Sequence, residues 1–262
     1  MIKDYHIHPQ VIKDESSFDE FASTAISKGI EEICITDHMP LSCSSASDRI
    51  PKGRVNDYCR RVKKIAGKYE GRLSVKLGIE IDYHPSLKSE IEAVLSEGEF
   101  DFVLGSSHLH VLSSLSLFDG KHSYGDYAEE MYKNTVLASE SGYFNAIAHV
   151  DMYRWIFTKP DRFPLVDDGF CESEHAGAIT DMLSAIKKNG LRLEINTHFA
   201  SHTLDLSKVY PCDLITQTAL DMGINFSFGS DAHKAEDVGK MLDMLRCHAL
   251  YGKAIKTWEE DI

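Results

Sequence analysis

Seven short apolar runs, most of them followed by a stretch of helical spacing, recur along this chain and restrict it to an α/β fold. The runs fall near residues 1–8, 33–35, 73–81, 100–104, 143–148, 191–195 and 224–228. Helical spacing follows at 18–28, 56–69, 86–97, 124–141, 174–188, 212–222 and 236–250, with an irregular Pro-containing stretch at 151–169. This β-then-α rhythm, without linker, repeat or low-complexity tract, predicts one domain over 1–262. Its sheet is then either a parallel barrel or a doubly wound one.

Six of the seven runs carry a His, Asp or Glu at or near the C-terminal end. They are His6 with His8, His38, Glu80, His108, His149, and Asp231 with His233; the sixth run offers His198. In parallel α/β barrels that end of the strands is the active-site face. The first run is expected to alternate as a strand, its side chains swapping faces at each residue, so His6 and His8, two apart, share a face and can grip one metal ion. Thirteen histidines scattered without regard to strand ends would rarely fall in such register. The pattern predicts a metal site.

Composition limits the alternatives. A net charge of −13 argues against nucleic-acid binding through a basic face. No apolar run is long enough to span a bilayer and no signal-peptide pattern opens the chain, so a soluble cytoplasmic protein is expected. The six cysteines are scattered without a C-x-x-C pair and read as reduced thiols.

The ordered set H-x-H, T-D-H, G-x-E, S-x-H, A-H-x-D and S-D-A-H resembles the polymerase and histidinol phosphatase (PHP) superfamily. Asp4-Tyr5-His6-Ile7-His8, Gly78-Ile79-Glu80-Ile81-Asp82-Tyr83, Leu193-Glu194-Ile195-Asn196-Thr197 and Gly229-Ser230-Asp231-Ala232-His233 are similar to its histidinol-phosphatase branch. The resemblance implies a distorted (β/α)7 barrel with three divalent transition-metal ions, Zn, Mn or Fe. It implies one ion on His6, His8, Glu80 and Asp231, a second on Glu80, His108 and His149, and a third on His38 and His233. Asp14, six residues after the H-x-H, is expected to join the third ion; its alternative is a helix cap before Phe18.

Mixed N/O ligation suits these metals, and no thiolate is placed to impose zinc. A carboxylate can bridge two cations where a neutral imidazole serves one, which gives Glu80 a catalytic place. The expected reaction is phosphomonoester hydrolysis by a metal-bridging hydroxide on a small soluble ester, with L-histidinol phosphate first and a nucleotide, sugar phosphate or phosphotyrosine as alternatives. Arg154 is expected to contact phosphate, Asp151 to orient His149, Asp37 to support His38 or to serve structurally beside it, and His198 to contact substrate or donate a proton. The stretch His198-Phe199-Ala200-Ser201-His202 lacks the arginine that histidinol phosphatases place shortly after this point, which leaves the substrate open. A non-catalytic metal-binding module and an amidohydrolase-like enzyme are the other classes. Oligomeric state is not legible. The stretches 42–53 and 151–169 are expected to form much of the pocket rim.

Overall fold

A computed structural model describes residues 1–41, 48–108 and 121–260. Its strands are β1 (Lys3–Ile7), β2 (Glu32–Ile35), β3 (Ser74–Asp82), β4 (Phe102–Ser106), β5 (Ala146–Ile147), β6 (Arg192–Asn196) and β7 (Phe226–Gly229). They form one parallel sheet in sequence order. Asp231 N–H donates to His6 O at 2.7 Å and His8 N–H donates to Ala232 O at 2.8 Å. These bonds join the segment after β7 back to β1, giving a nearly closed seven-stranded barrel, one of the two sheets that the sequence rhythm allows and the one that the resemblance implies. Among the described residues, no helix is long and apolar enough to cross a membrane.

The principal helices are α1 (Phe18–Ser27), α2 (Val55–Tyr69), α3 (Lys88–Glu97), α4 (Tyr124–Glu140), α5 (Tyr153–Ile156), α6 (Ala176–Lys188), α7 (His198–Ser201), α8 (Asp213–Asp221), α9 (Leu242–Cys247) and α10 (Tyr251–Glu259). Each of the longer ones buries a stripe against the strands. In α1 it is Phe18, Phe21, Ala22 and Ala25; in α2 it is Val55, Tyr58, Cys59, Val62, Ile65 and Tyr69. Gly78 is where β3 needs no side chain, because a Cβ there would overlap Cys34 Sγ and lie 3.0 Å from Phe102 O. The five cysteines among the described residues are free.

Two expectations need correction. The helix predicted at 236–250 is broken: Gly239 and Met241 adopt positive φ, and α9 and α10 follow as separate pieces. Gly239 N–H donates to Asp4 Oδ2 at 2.9 Å, a tertiary bond that a continuous helix would forfeit. Strict alternation along β1 also fails, since its register with β2 slips between Asp4 and Ile7. The consecutive Tyr5 and His6 can therefore both reach inward, Tyr5 onto Phe102 (ring centroids 5.0 Å apart) and His6 towards Glu80.

Candidate metal centre

At the C-terminal end of the barrel, Glu80 rises from β3 fully buried and divides its two oxygens between two sets of imidazoles. Oε2 lies 3.4 Å from His6 Nε2, 3.4 Å from His8 Nε2 and 2.7 Å from His38 Nδ1. Oε1 lies 3.4 Å from His108 Nε2 and 3.3 Å from His149 Nε2. Asp231 completes the ring, with Oδ1 3.2 Å from His8 Nε2, 3.6 Å from His6 Nε2 and 3.5 Å from His233 Nδ1.

Most of these separations are too long for good hydrogen bonds. They match the edge of a tetrahedron whose centre lies about 2.0–2.1 Å from each donor, an edge of about 3.4 Å. His6 Nε2, His8 Nε2 and Glu80 Oε2 are buried without a hydrogen-bond partner. Orphaned buried donors at ligand spacing fit cations between them. Several triads satisfy this closeness, among them His6–His8–Glu80, His38–Glu80–His108 and His8–His38–His233.

Electrostatics agree. Burial opposes charge on Glu80, yet the imidazoles of His38, His108 and His6 hold its carboxyl well below the usual range. Asp231 is held low in the same way, burial being outweighed by His6 and His198. Burial, with His38 and His233 close by, pushes His8 well down, which favours the neutral ligating form. His149 and Asp231 are both held at positive φ, 24° and 52°. Such strain in non-glycine residues collects at functional sites.

An outer ring of carboxylates orients the imidazoles. Glu194 on β6 holds His6 Nδ1 at 2.6 Å and accepts from His149 N–H at 3.1 Å. Asp82, two residues beyond Glu80 on the same strand, lies 2.8 Å from His108 Nδ1 and 2.8 Å from Arg49 Nη1. Asp4 accepts from Ser230 N–H at 2.9 Å and Ser230 Oγ at 2.6 Å, fixing the turn before Asp231. None of these roles was predicted. The signal available was position, since Asp82 and Glu194 fall inside strings already notable for their neighbours.

Three expected placements differ. Asp14 is not drawn into the cluster; its exposed carboxylate caps a short helical turn by accepting from Ser16 N–H at 2.9 Å, the alternative foreseen for it. Asp151 does not touch His149; it accepts from Cys212 N–H at 2.7 Å and from Arg154 Nη1 at 3.2 Å. Arg154 spends its other donors on the carbonyls of Val209 (2.7 Å) and Ser207, so it fastens the chain near 210 and does not line the cavity. Asp37 takes the structural alternative expected of it: it accepts from Gln10 and Val11 N–H and pins the loop after β1.

A cavity of about 330 Å³ opens over the cluster, lined by His38, Asp48, Arg49, His108, Met152, Trp155, His198, Tyr210, Asp231 and His233. His198 lines this cavity, with Nδ1 3.0 Å from Asp231 O. The rim expected from 42–53 is represented by Asp48 and Arg49, residues 42–47 lying outside the described ones; that from 151–169 supplies Met152 and Trp155.

The family model for the PHP domain matches residues 4–198. The chain belongs to the PHP domain family. A probable histidinol-phosphatase from Deinococcus radiodurans is 30% identical over 246 residues, covering 90% of this chain and 88% of the relative. The histidinol-phosphatase of Bacillus subtilis is also 30% identical, covering 90% and 95%. A solved structure, histidinol phosphate phosphatase from Lactococcus lactis complexed with Zn, L-histidinol and phosphate, superposes with a TM-score of 0.71 at 20% identity. It covers 97% of this chain and 93% of that one, and it corroborates the barrel.

Proposed function

We propose that this chain is a metal-dependent phosphomonoesterase whose substrate is L-histidinol phosphate, which would place it in cytoplasmic histidine biosynthesis, with 1–262 acting as one catalytic unit. The observation that carries the reading is the division of the Glu80 oxygens between two imidazole sets beneath a cavity of small-molecule size. The relatives named histidinol-phosphatase support the substrate.

His6, His8, Glu80 and Asp231 would hold one ion, Glu80, His108 and His149 a second, and His38 with His233 a third; Zn, Mn and Fe all suit this donor set. Bound there, the ions supply Lewis acidity and an activated water for phosphate-ester hydrolysis.

The protein's own groups do the rest. Glu80 and Asp231 keep their charge in a buried site, which holds the ligands at fixed spacing. His198 donates its Nδ1 hydrogen to Asp231 O, which orients the ring so that, in the imidazolium form, the second hydrogen on Nε2 can pass to the departing alkoxide. Arg49, the one Lys or Arg among the described cavity-lining residues, would contact the phosphate in the role expected of Arg154.

The test is metal analysis of protein purified without chelator, with phosphate release from histidinol phosphate measured beside nucleotides, sugar phosphates and phosphotyrosine. About three ions and a strong preference for histidinol phosphate uphold the reading. Release mainly from another ester keeps the chemistry and discards the pathway. No hydrolysis after reconstitution with Zn, Mn or Fe overturns it.

A further inference from the structure

One carboxylate on the cavity wall has no place in ion ligation. Asp48, ten residues beyond His38, is half-buried, and its Oδ1 is buried with no hydrogen-bond donor among the described residues. An unsatisfied carboxylate oxygen in such a place is costly, so a donor that arrives with the ligand is the natural complement.

The sign of its charge narrows the ligand. Phosphate belongs at the end of the cavity where the ions gather, and a phosphate dianion set against Asp48 would be repelled. Asp48 therefore answers to the alcohol half of an ester, and the complement it asks for is a cationic nitrogen. Met152, Trp155 and Tyr210 share this cavity and offer apolar and aromatic surface for the body of such an alcohol.

The position of Asp48 is fixed by bonds. Arg49 bridges to His38 in parallel register, and Ile50 N–H donates to His38 O at 2.9 Å. Arg49 Nη1 also reaches Met39 O at 3.0 Å and Asp82 at 2.8 Å. Asp48 is thereby held at a set place relative to the metal ligand His38.

We propose that Asp48 is a specificity-determining residue, accepting a charge-assisted hydrogen bond from a cationic nitrogen in the alcohol half of the phosphate ester. The inference rests on the phosphomonoesterase reading and deepens it by naming the substrate class. L-Histidinol phosphate belongs to that class; sugar phosphates do not.

The experiment compares kcat/KM for 3-aminopropyl phosphate and propyl phosphate, with histidinol phosphate alongside, in metal-loaded wild type, Asp48→Asn and Asp48→Glu. Metal content and melting temperature check that the variants fold. Wild type is expected to favour the amine ester, Asp48→Asn to cut the amine-to-propyl ratio by about tenfold or more, and Asp48→Glu to recover part of it. A ratio that Asp48→Asn leaves unchanged, or a wild type without amine preference, overturns the inference. An Asp48-dependent amine preference without activity on histidinol phosphate would remove that substrate and uphold the role of Asp48. If no ester is hydrolysed, calorimetry decides: L-histidinol should bind wild type more tightly than its analogue lacking the amine, and equal affinities overturn the inference.

Discussion

Glu194 holds His6 by a 2.6 Å contact between Oε1 and Nδ1, both groups fully inside the barrel. That contact makes Nδ1 the protonated nitrogen and turns Nε2 towards Glu80. Glu194→Gln should weaken metal binding by about 10–100-fold, the usual effect of losing a carboxylate behind a ligating imidazole. Metal titration reads the loss, and activity should return at high metal concentration. Unchanged affinity would show that Glu194 serves packing alone.

Stripping the ions should lower stability as well as activity. With metal at about a thousand times its dissociation constant, binding contributes about 4 kcal/mol. In a chain of this size that corresponds to a fall of about 10 °C in melting temperature on chelation. Calorimetry with and without chelator measures it, and coincident melts would contradict ligation in the folded state.

The two arginines should behave oppositely. Arg154→Ala removes the tie from Asp151 to the carbonyls of Val209 and Ser207 and should cost about 1–3 kcal/mol of stability with little change in KM. Arg49→Lys should raise the KM for a phosphate ester by about tenfold, because an ammonium cannot reproduce the guanidinium fork. A rise in KM confined to Arg154→Ala would reverse these assignments.

Glu32, at the opposite end of the barrel, gives a pH signature. Burial opposes its charge, but the Tyr5 and Ser74 hydroxyls and Lys76 outweigh burial and lower its pKa. A carboxylate lowered in the folded state adds stability above its unfolded value of about 4.3, and that stability is lost as pH falls through the folded value. Glu32→Gln should therefore cost about 1–3 kcal/mol at pH 7 and progressively less below about pH 4. Urea melts at several pH values test this, and a gap that widens in acid would refute it.

The fold was legible because seven apolar runs and their helices are local patterns, and all seven strands stand where those runs are. The candidate ligands were legible for a related reason: strand ends in a barrel converge, so residues distant in sequence share one place. What sequence could not show was how polar groups pair across that place. Asp82 reaches His108, and Glu194 reaches His6 across 188 residues of chain, through geometry that no local spacing encodes. Arg154 was misplaced because a guanidinium near a site is equally suited to backbone carbonyls, and three nearby acceptors claim it. The break at Gly239 escaped notice because a tertiary bond to Asp4 overrides the helical spacing around it.

The seam between β1 and the segment after β7 consists of bonds from Asp231 to His6 and from His8 to Ala232, so candidate ligands are also the residues that close the ring. Joining these ends means bringing together parts of the chain more than 220 residues apart, a step whose entropic cost no local helix offsets. An ion gripped by His6, His8 and Asp231 would therefore act as a clasp on the barrel itself. Topological completion and chemical competence would then arrive in the same event, and a molecule whose ring stands open could not hold a working centre.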